Sequence, residues 1–308
     1  MKNILEFKTL TEFADYFCDE ETCVKHFTEI RFASGEYCPH CGHNEIYKFS
    51  NGKRYRCAKC KQDFTIRTGT VFGESKLPLR KWFMAIYLLS TSNKGISSVQ
   101  LAKQIGVTQK TGWFIDHRIR SAMKQNKGQL FGQVEADETW IGGKDKNKHA
   151  AKRLNGKGRG PTGKTAVAGI VERGGNVVAK VVPEVTSAVL HGFINANVKE
   201  GSTVNTDEHR GYWGMKNYTH QVIRHSLREY VVGSAHTNTI ESFWALFKRG
   251  YHGIYHFMSE KHLQRYVDEF SFRFNRRAGE MQSIFSETIK NMATNAQLPY
   301  KELTGKTV

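Results

Sequence analysis

Three acidic side chains lie where regular structure could bring their carboxylates together. Asp137 falls in an alternating polar and apolar segment at residues 133–141, which predicts a β-strand. Asp207 ends a later strand-like segment, and Glu241 lies in the first turn of an amphipathic helix predicted for residues 239–248. Carboxylate oxygens are the ligands that Mg²⁺ and Mn²⁺ prefer. Two such ions can activate an attacking hydroxyl and stabilise the leaving oxygen of a phosphodiester without a side-chain nucleophile.

Three neighbouring acids compete for the same assignment. In a regular strand the Glu138 side chain points away from that of Asp137, and Glu208 stands in the same relation to Asp207. Glu135 shares the face of Asp137, so it is the strongest alternative ligand. An Asp at a strand end or a Glu in a first helical turn is also commonly a cap or a surface charge. The pattern alone leaves that alternative open.

The elements around the acids predict a ribonuclease-H-like catalytic core, a mixed sheet flanked by helices. They are three strands, a helix and a fourth strand, at residues 133–141, 165–171, 177–183, 186–198 and up to residue 207. In that order Asp137 and Asp207 lie on adjacent central strands, and the helix of Glu241 follows. Lys248 comes seven residues after Glu241, almost two turns, so it shares that helix face and could touch a DNA phosphate.

Four cysteines form a second site. Cys38 and Cys41 make one CxxC pair, and Cys57 and Cys60 make another after fifteen residues. Residues 46–55, with Asn-Gly at their centre, predict a β-hairpin that brings the pairs together. Four thiolates close a tetrahedron around one structural Zn²⁺ and leave no open position for catalysis. A disulfide pair or a redox CxxC is the alternative.

Residues 79–123 predict a helix-turn-helix. An apolar helix at 79–89 precedes a helix at 97–105, and a Gly-containing break leads to Thr108, a suitable cap for a last helix up to residue 123. The apolar side of the middle helix is predicted to hold Val99, Leu101, Ala102 and Ile105. Such a unit commonly reads the DNA major groove, although any small helical hairpin can look alike.

The charge indicates a polyanionic partner. The chain has 46 Lys and Arg against 29 Asp and Glu, a net charge of +17. Residues 1–37 hold 4 basic and 8 acidic side chains, whereas residues 41–130 hold 17 and 4. Mere solubility is the alternative explanation. The longest apolar run, 82–89, has eight residues, well short of the roughly 18 that a membrane span needs. With no signal-peptide pattern at the start, we expect a cytoplasmic protein.

A basic loop is predicted at residues 142–164. Its end, GRGPTGKT, formally matches a phosphate-binding loop, but a polar tract precedes it and a strand follows, so we expect contact with DNA and not an ATP site. A simple solvated linker is the alternative. The candidate DNA contacts along the whole chain are Lys53, Arg54, Gln109, Lys110, Arg118, Lys157, Arg159, Lys248 and Arg249.

Several segments resemble a known group, the Merlin-related bacterial insertion-sequence transposases with an N-terminal zinc ribbon. The segments span nearly the whole chain: Arg31-Phe32 before CPHCG, then RCAKC, EADETWIGGK, NTDEHRGY, HTNTIESFWALFKRGYHGIYH and YVDEFSFRFNRR. The last two are the most specific.

The resemblance implies a DDE triad of Asp137, Asp207 and Glu241, with Lys248 following. It also implies cleavage of terminal inverted repeats and joining of the freed 3′-hydroxyl ends to target DNA, catalysed by two Mg²⁺ or Mn²⁺ ions. Pairing of two element ends leads us to expect a homodimer or larger assembly on double-stranded DNA at the nucleoid. A domesticated regulator that binds DNA without catalysis is the alternative.

These predictions divide the chain into a multidomain α/β protein. The expected parts are a helical segment at 1–36, the zinc ribbon at 37–72, the helix-turn-helix at 77–127, the catalytic domain at 130–280 and a tail at 281–308.

Overall fold

The computed structural model describes residues 7, 9–50, 52–125, 128–143, 147, 149–153, 161–223, 236–277, 281–295 and 298–305. The helices are α1 (Leu10–Tyr16), α2 (Glu20–Arg31), α3 (Leu79–Thr91), α4 (Ser98–Ile105), α5 (Gln109–Ala122), α6 (Ser187–Asn197), α7 (Asn238–Gly250), α8 (Glu260–Phe274), α9 (Met281–Thr294) and α10 (Tyr300–Thr304). The strands are β1 (Ile46–Lys48), β2 (Tyr55–Cys57), β3 (Asp63–Phe64), β4 (Gln133–Ile141), β5 (Thr165–Glu172), β6 (Val177–Val182), β7 (Thr203–Thr206) and β8 (Thr219–Val222). In these residues no helix is long and apolar enough to cross a membrane.

The chain forms two compact units. One comprises Met1–Met123 together with Gly279–Val308, and the other comprises Lys124–Ala278. The first holds the cysteines and the α3 to α5 helices, and the second holds the three acids.

An aromatic core from both ends of the chain supports the first unit. The ring centroids of Phe13 and Phe83 lie 5.3 and 6.1 Å from that of Phe285 on α9. Ile289 and Met292 of the same helix are fully buried. Residues 281–295 and 298–305 are therefore part of this unit and not the tail expected from the sequence, because the apolar face of α9 is needed to complete its core.

Helices α4 and α5 meet as the sequence predicts. Gly106 ends α4 in the left-handed region at φ +63°, and the Thr108 hydroxyl caps α5 by accepting a hydrogen bond from the Thr111 N–H at 3.3 Å. A Cβ on Gly112 would lie 2.7 Å from the Ser98 carbonyl oxygen, so glycine permits the close approach. Val99 was expected on the apolar side but is 65% exposed, because the helix rotates it away from Leu101 and Ile105.

The second unit is built on a mixed sheet with strand order β6-β5-β4-β7-β8 in the described residues. Strand β5 runs antiparallel to β4 and β6, and β7 and β8 run parallel to β4. The parallel partner β7 follows a helical crossover through α6, as parallel pairing requires. This order and direction confirm the ribonuclease-H-like fold predicted from the sequence.

Helices cover both faces of the sheet. One face packs on α6 through Val134, Ala136 and Ile170, and the other packs on α7 and α8 through Val167 and Val171. Because successive residues of a strand alternate faces, the side of β4 that holds Val134 and Ala136 is opposite to the side of Asp137.

Two amide side chains, one in α8 and one at its C-cap, secure the outer strand β6. The Val181 N–H donates to Gln264 Oε1 at 2.8 Å, and the Val177 N–H donates to Asn275 Oδ1 at 2.6 Å. They satisfy backbone groups that an edge strand would otherwise leave unpaired, so α8 is fixed against the sheet.

Candidate active site

The sheet places the first two acids side by side. Strands β4 and β7 are parallel, and Glu135 is paired with Asn205. Carrying that register two residues further along both strands sets Asp207 beside Asp137, at the end of β7. Adjacent strands lie about 4.8 Å apart. The Asp207 carboxylate is held in turn by the His209 N–H, which donates to Oδ1 at 2.9 Å.

The third acid is positioned by Glu135. The Thr239 N–H donates to Glu135 Oε2 at 2.8 Å, and the Ile240 N–H donates to the same oxygen at 3.0 Å. The Thr239 hydroxyl donates to Oε1 at 2.9 Å. Thr237, at the N-cap of α7, makes no side-chain cap bond to the helix backbone. A fully buried carboxylate from β4 therefore caps the helix in whose first turn Glu241 lies.

Gly169 lets α7 approach the sheet next to Asp137. It is the residue of β5 paired with Asp137, and a Cβ there would lie 2.5 Å from Cζ2 of Trp244. The same Cβ would lie 3.1 Å from Ile240 Cδ1. Glycine inside a strand commonly marks such an approach. Trp244 and Ile240 flank Glu241 in sequence, so this contact sets how close the third acid comes to the first.

Electrostatics show that the acids share one environment. Burial raises the pKa of Asp137 to about 7, and the carboxylates of Glu138, Asp207 and Glu241 add to the rise. The Glu241 carboxylate is itself oriented by the Thr237 hydroxyl, which donates to Oε1 at 2.9 Å. Mutual repulsion among ionised carboxylates is relieved by a bound cation, so this donor set fits a hard divalent metal ion.

Glu138 lies on the opposite face, as the strand pattern predicts. It is buried, and the Tyr212 hydroxyl donates to its Oε2 at 2.7 Å. Burial raises the pKa of Glu138, while the Tyr212 hydrogen bond and nearby His209 oppose the rise. Through these contacts Glu138 holds the segment after Asp207 against β4.

The ligand atoms of the three acids are spaced more widely than those of the cysteine cluster. Among the described residues, the four cysteines are the one group of three or more metal-ligating side chains whose ligand atoms all lie within 4.8 Å of one another. At least one pair among Asp137, Asp207 and Glu241 is therefore wider.

The cysteine cluster has the geometry of a structural zinc site. Sγ of Cys38 lies 3.7 Å from that of Cys60, and Sγ of Cys41 lies 3.6 Å from that of Cys57. The β1–β2 hairpin between the pairs forms as the Asn-Gly turn predicts, and Gly52 has φ +66°. Arg31 of α2 fixes the segment after β3, since its guanidinium donates to the carbonyl oxygens of Ile66 and Thr68.

Most of the predicted DNA-contact residues that the structure describes are exposed. They are Lys53, Arg54, Gln109, Lys110, Lys248 and Arg249. Lys157, Arg159 and most of the residues between 144 and 160 lie outside the described residues. Strand β5 begins at Thr165, directly after the basic loop predicted for residues 142–164, as expected.

Arg118 does not fit its predicted role. It is 2% exposed, and its guanidinium donates to the carbonyl oxygens of Val71, Gly73 and Leu298 at 2.9, 3.1 and 3.0 Å. Its Cζ also lies 4.3 Å from the Phe114 ring centroid. The prediction of a DNA contact here is wrong, because α5 is covered on this side by the segment before α3 and by the C-terminal residues.

Known proteins resemble both units. The family model of the ISXO2-like transposase domain matches residues 129–275. The family model of the transposase zinc-ribbon domain matches residues 18–63. An uncharacterized protein in transposable element ISH50 of Halobacterium salinarum is 31% identical over 248 residues, which cover 76% of this chain and 83% of the relative.

Solved structures also match the chain at low similarity. One of them is the crystal structure of the Mos1 strand transfer complex, with 16% identity and a TM-score of 0.28. The match covers 68% of this chain and 74% of that one.

Proposed function

Because the chain belongs to the family of ISXO2-like transposases, we propose that it cleaves the terminal inverted repeats of an insertion sequence and joins the 3′-hydroxyl ends to target DNA. The observation that supports this most strongly is the β4–β7 register that sets Asp207 next to Asp137 on central strands, together with the rise in the pKa of Asp137 to which Asp207 and Glu241 both contribute. No side-chain nucleophile is needed for such a reaction.

The proposed ligands of two divalent cations are Asp137, Asp207 and Glu241. When bound, Mg²⁺ or Mn²⁺ would supply activation of the attacking oxygen and charge neutralisation at the leaving oxygen. The protein's own contribution is positioning. The β4–β7 register supports a position for Asp207 beside Asp137, and Glu135 holds the first turn of α7, in which Glu241 lies. Lys248 is exposed almost two turns further along α7, about 10 Å along the helix axis, where it can contact a DNA phosphate.

We propose that the first unit holds the DNA ends. Its four-cysteine site holds one Zn²⁺ that stabilises the ribbon, and Lys53 and Arg54 project from the hairpin. Helix α5 would enter the major groove with Gln109 and Lys110 at its exposed start. Pairing of two ends would require a homodimer or larger assembly, working on chromosomal DNA in the cytoplasm at the nucleoid.

The test is metal-dependent nicking of double-stranded DNA taken from the flanks of the open reading frame. Asp137→Asn, Asp207→Asn and Glu241→Gln should each reduce the rate at least about 100-fold, the scale of losing several kcal/mol of metal-assisted stabilisation. Glu184→Gln is the matched control, since Glu184 is exposed in the same unit and the charge change is identical.

Unchanged nicking in the three variants would refute the triad. A wild-type protein that binds the DNA but never nicks it with Mg²⁺ or Mn²⁺ would favour the non-catalytic regulator. Nicking without strand joining would identify a nuclease.

A further inference from the structure

An exposed tryptophan lies on the turn that follows Asp207. Trp213 is 54% exposed, although it directly follows the buried Tyr212. The guanidinium of Arg210, which is also exposed, lies 5.7 Å from the centroid of the indole ring. We refer to these two side chains as the Arg210–Trp213 platform. An indole presented to solvent with a cation beside it is suited to binding a flat, electron-rich group.

Contacts on both sides of the turn fix the platform to β4 and to Asp207. The Tyr212 hydroxyl donates to Glu138 at 2.7 Å, and Glu138 is the neighbour of Asp137. Ahead of the turn, the His209 N–H donates to Asp207 at 2.9 Å. The position of Trp213 therefore follows that of the two central acids.

Close packing keeps the turn from moving independently. The backbone of residues 210–212 forms one helical turn, and the Gly211 N–H donates to His209 Nδ1 at 3.2 Å. A Cβ on Gly211 would lie 2.8 Å from His209 and 2.8 Å from Leu190 Cδ1 of α6.

The chemistry of DNA restricts what this platform can bind. Paired bases inside a duplex present their edges in the grooves and bury their faces in the stack, so away from a duplex end only an unpaired base can lie flat on an indole. Trp213 is six residues after Asp207, which limits their Cα separation to about 20 Å, or about six base-pair steps.

We propose that the Arg210–Trp213 platform binds an unpaired nucleobase of the DNA strand next to the phosphodiester held at the acids. The indole stacks on the base, and Arg210 covers the stack and contacts the adjacent phosphate. The inference rests on the proposed function in so far as DNA is the substrate. It adds a base-binding site that requires the DNA to open beside the cleaved bond.

The experiment compares two DNA probes without added Mg²⁺, so that only binding is measured. One probe is a forked duplex with 2-aminopurine at its first unpaired position, and the other is the same duplex fully paired. The full-length wild-type chain should quench the 2-aminopurine and prefer the fork. Trp213→Ala should abolish the quench and weaken fork binding by about 5- to 100-fold, the range of one base–aromatic stack, with little change for the paired duplex. Trp213→Phe should retain most of both signals.

Phe131 provides the matched control. It is 55% exposed with the Lys199 ammonium 5.2 Å from its ring centroid, but it precedes the start of β4, whereas Asp207 follows the end of the parallel strand β7. Phe131→Ala should leave quench and preference unchanged.

The inference would be overturned if Trp213→Ala weakened binding of both probes equally, or if that variant kept the wild-type preference for the fork. It would also be overturned if the only effect of Trp213→Ala were a change of oligomeric state in analytical ultracentrifugation. Loss of nicking in the acid variants tests the proposed function separately, because binding here needs no cleavage.

Discussion

Replacing Gly169 with alanine should push α7 away from the sheet. The added Cβ would lie 2.5 Å from Cζ2 and 2.8 Å from Cη2 of Trp244. Carbon atoms in contact normally lie about 3.5–4.0 Å apart, so the indole must retreat by about 1 Å. Trp244 is 3% exposed and packs against Phe243 and Phe247, with ring centroids at 4.9 and 6.5 Å, so it has little room to turn. We expect a loss of about 1–3 kcal/mol in the free energy of unfolding.

Activity should fall by more than the stability change alone implies. Trp244 and Glu241 are one turn apart on α7, so the helix shift displaces the third carboxylate from Asp137 by a similar distance. A misplacement of about 1 Å at a catalytic group commonly costs about 100-fold in rate. Urea unfolding gives the stability, and Mn²⁺-dependent nicking at a temperature where both proteins are folded gives the activity.

Gly192→Ala is the matched control. Gly192 is exposed on α6, and a Cβ there meets no atom within 4 Å. That variant should gain up to about 1 kcal/mol from helix propensity and keep full activity. A Gly169→Ala protein with wild-type stability and wild-type nicking would show that the contact with Trp244 does not set the position of α7.

Three further outcomes are expected. Arg118→Met should lower the free energy of unfolding by at least about 3 kcal/mol, because buried carbonyl oxygens lose a charged donor. Lys110→Ala should instead weaken DNA binding and change the free energy of unfolding by less than about 0.5 kcal/mol. The opposite pattern in urea unfolding and DNA titration would restore Arg118 as a DNA contact. Burial raises the pKa of Asp268 to about 6, so its ionisation destabilises the folded state as the pH rises from about 4 through 6. Asp268→Asn should therefore stabilise the protein by about 3 kcal/mol at pH 8 and by little at pH 4, and a gain of equal size at both pH values in urea unfolding would contradict this. Removing zinc with a chelator, or Cys57→Ser, should unfold the ribbon and abolish binding to element-end DNA, which circular dichroism and gel shift would detect; a folded ribbon without zinc would contradict the assignment.

Local patterns in the sequence were enough to predict the elements and their order. The alternation of residues 133–141 predicted both β4 and its two faces, and Glu138 does point away from Asp137. The Gly106 break and the Thr108 cap fixed the end of α4 and the start of α5 to the residue. These features depend on neighbours within a few positions, which is why sequence alone suffices for them.

Contacts between distant parts of the chain were not predictable in this way. The strand pattern makes Glu135 an alternative metal ligand, yet the structure shows that it caps α7 across 104 sequence positions. Glu20 caps α3 in the same manner by accepting a hydrogen bond from the Leu79 N–H at 2.8 Å. In each case the acid and the helix start were visible, but nothing local links them. Gly169 inside an apolar strand was the one sequence signal that could have indicated the approach of α7.

The burial of Arg118 was missed for a related reason. Its helix position appears solvent-facing when α5 is considered with α4 alone, because the covering residues come from before α3 and from the C-terminal segment. Basic residues are usually exposed, so the sequence pattern gives no sign that this arginine binds buried carbonyl oxygens.

The most direct measurement is a crystal structure of the full chain with element-end DNA and Mn²⁺, with anomalous differences used to locate the ions. The account predicts two manganese peaks about 4 Å apart, both bounded by Asp137, Asp207 and Glu241, with Glu135 still hydrogen-bonded to the start of α7. Peaks coordinated by Glu135, or no peak beside Asp137 and Asp207 in a DNA-bound complex, would contradict it.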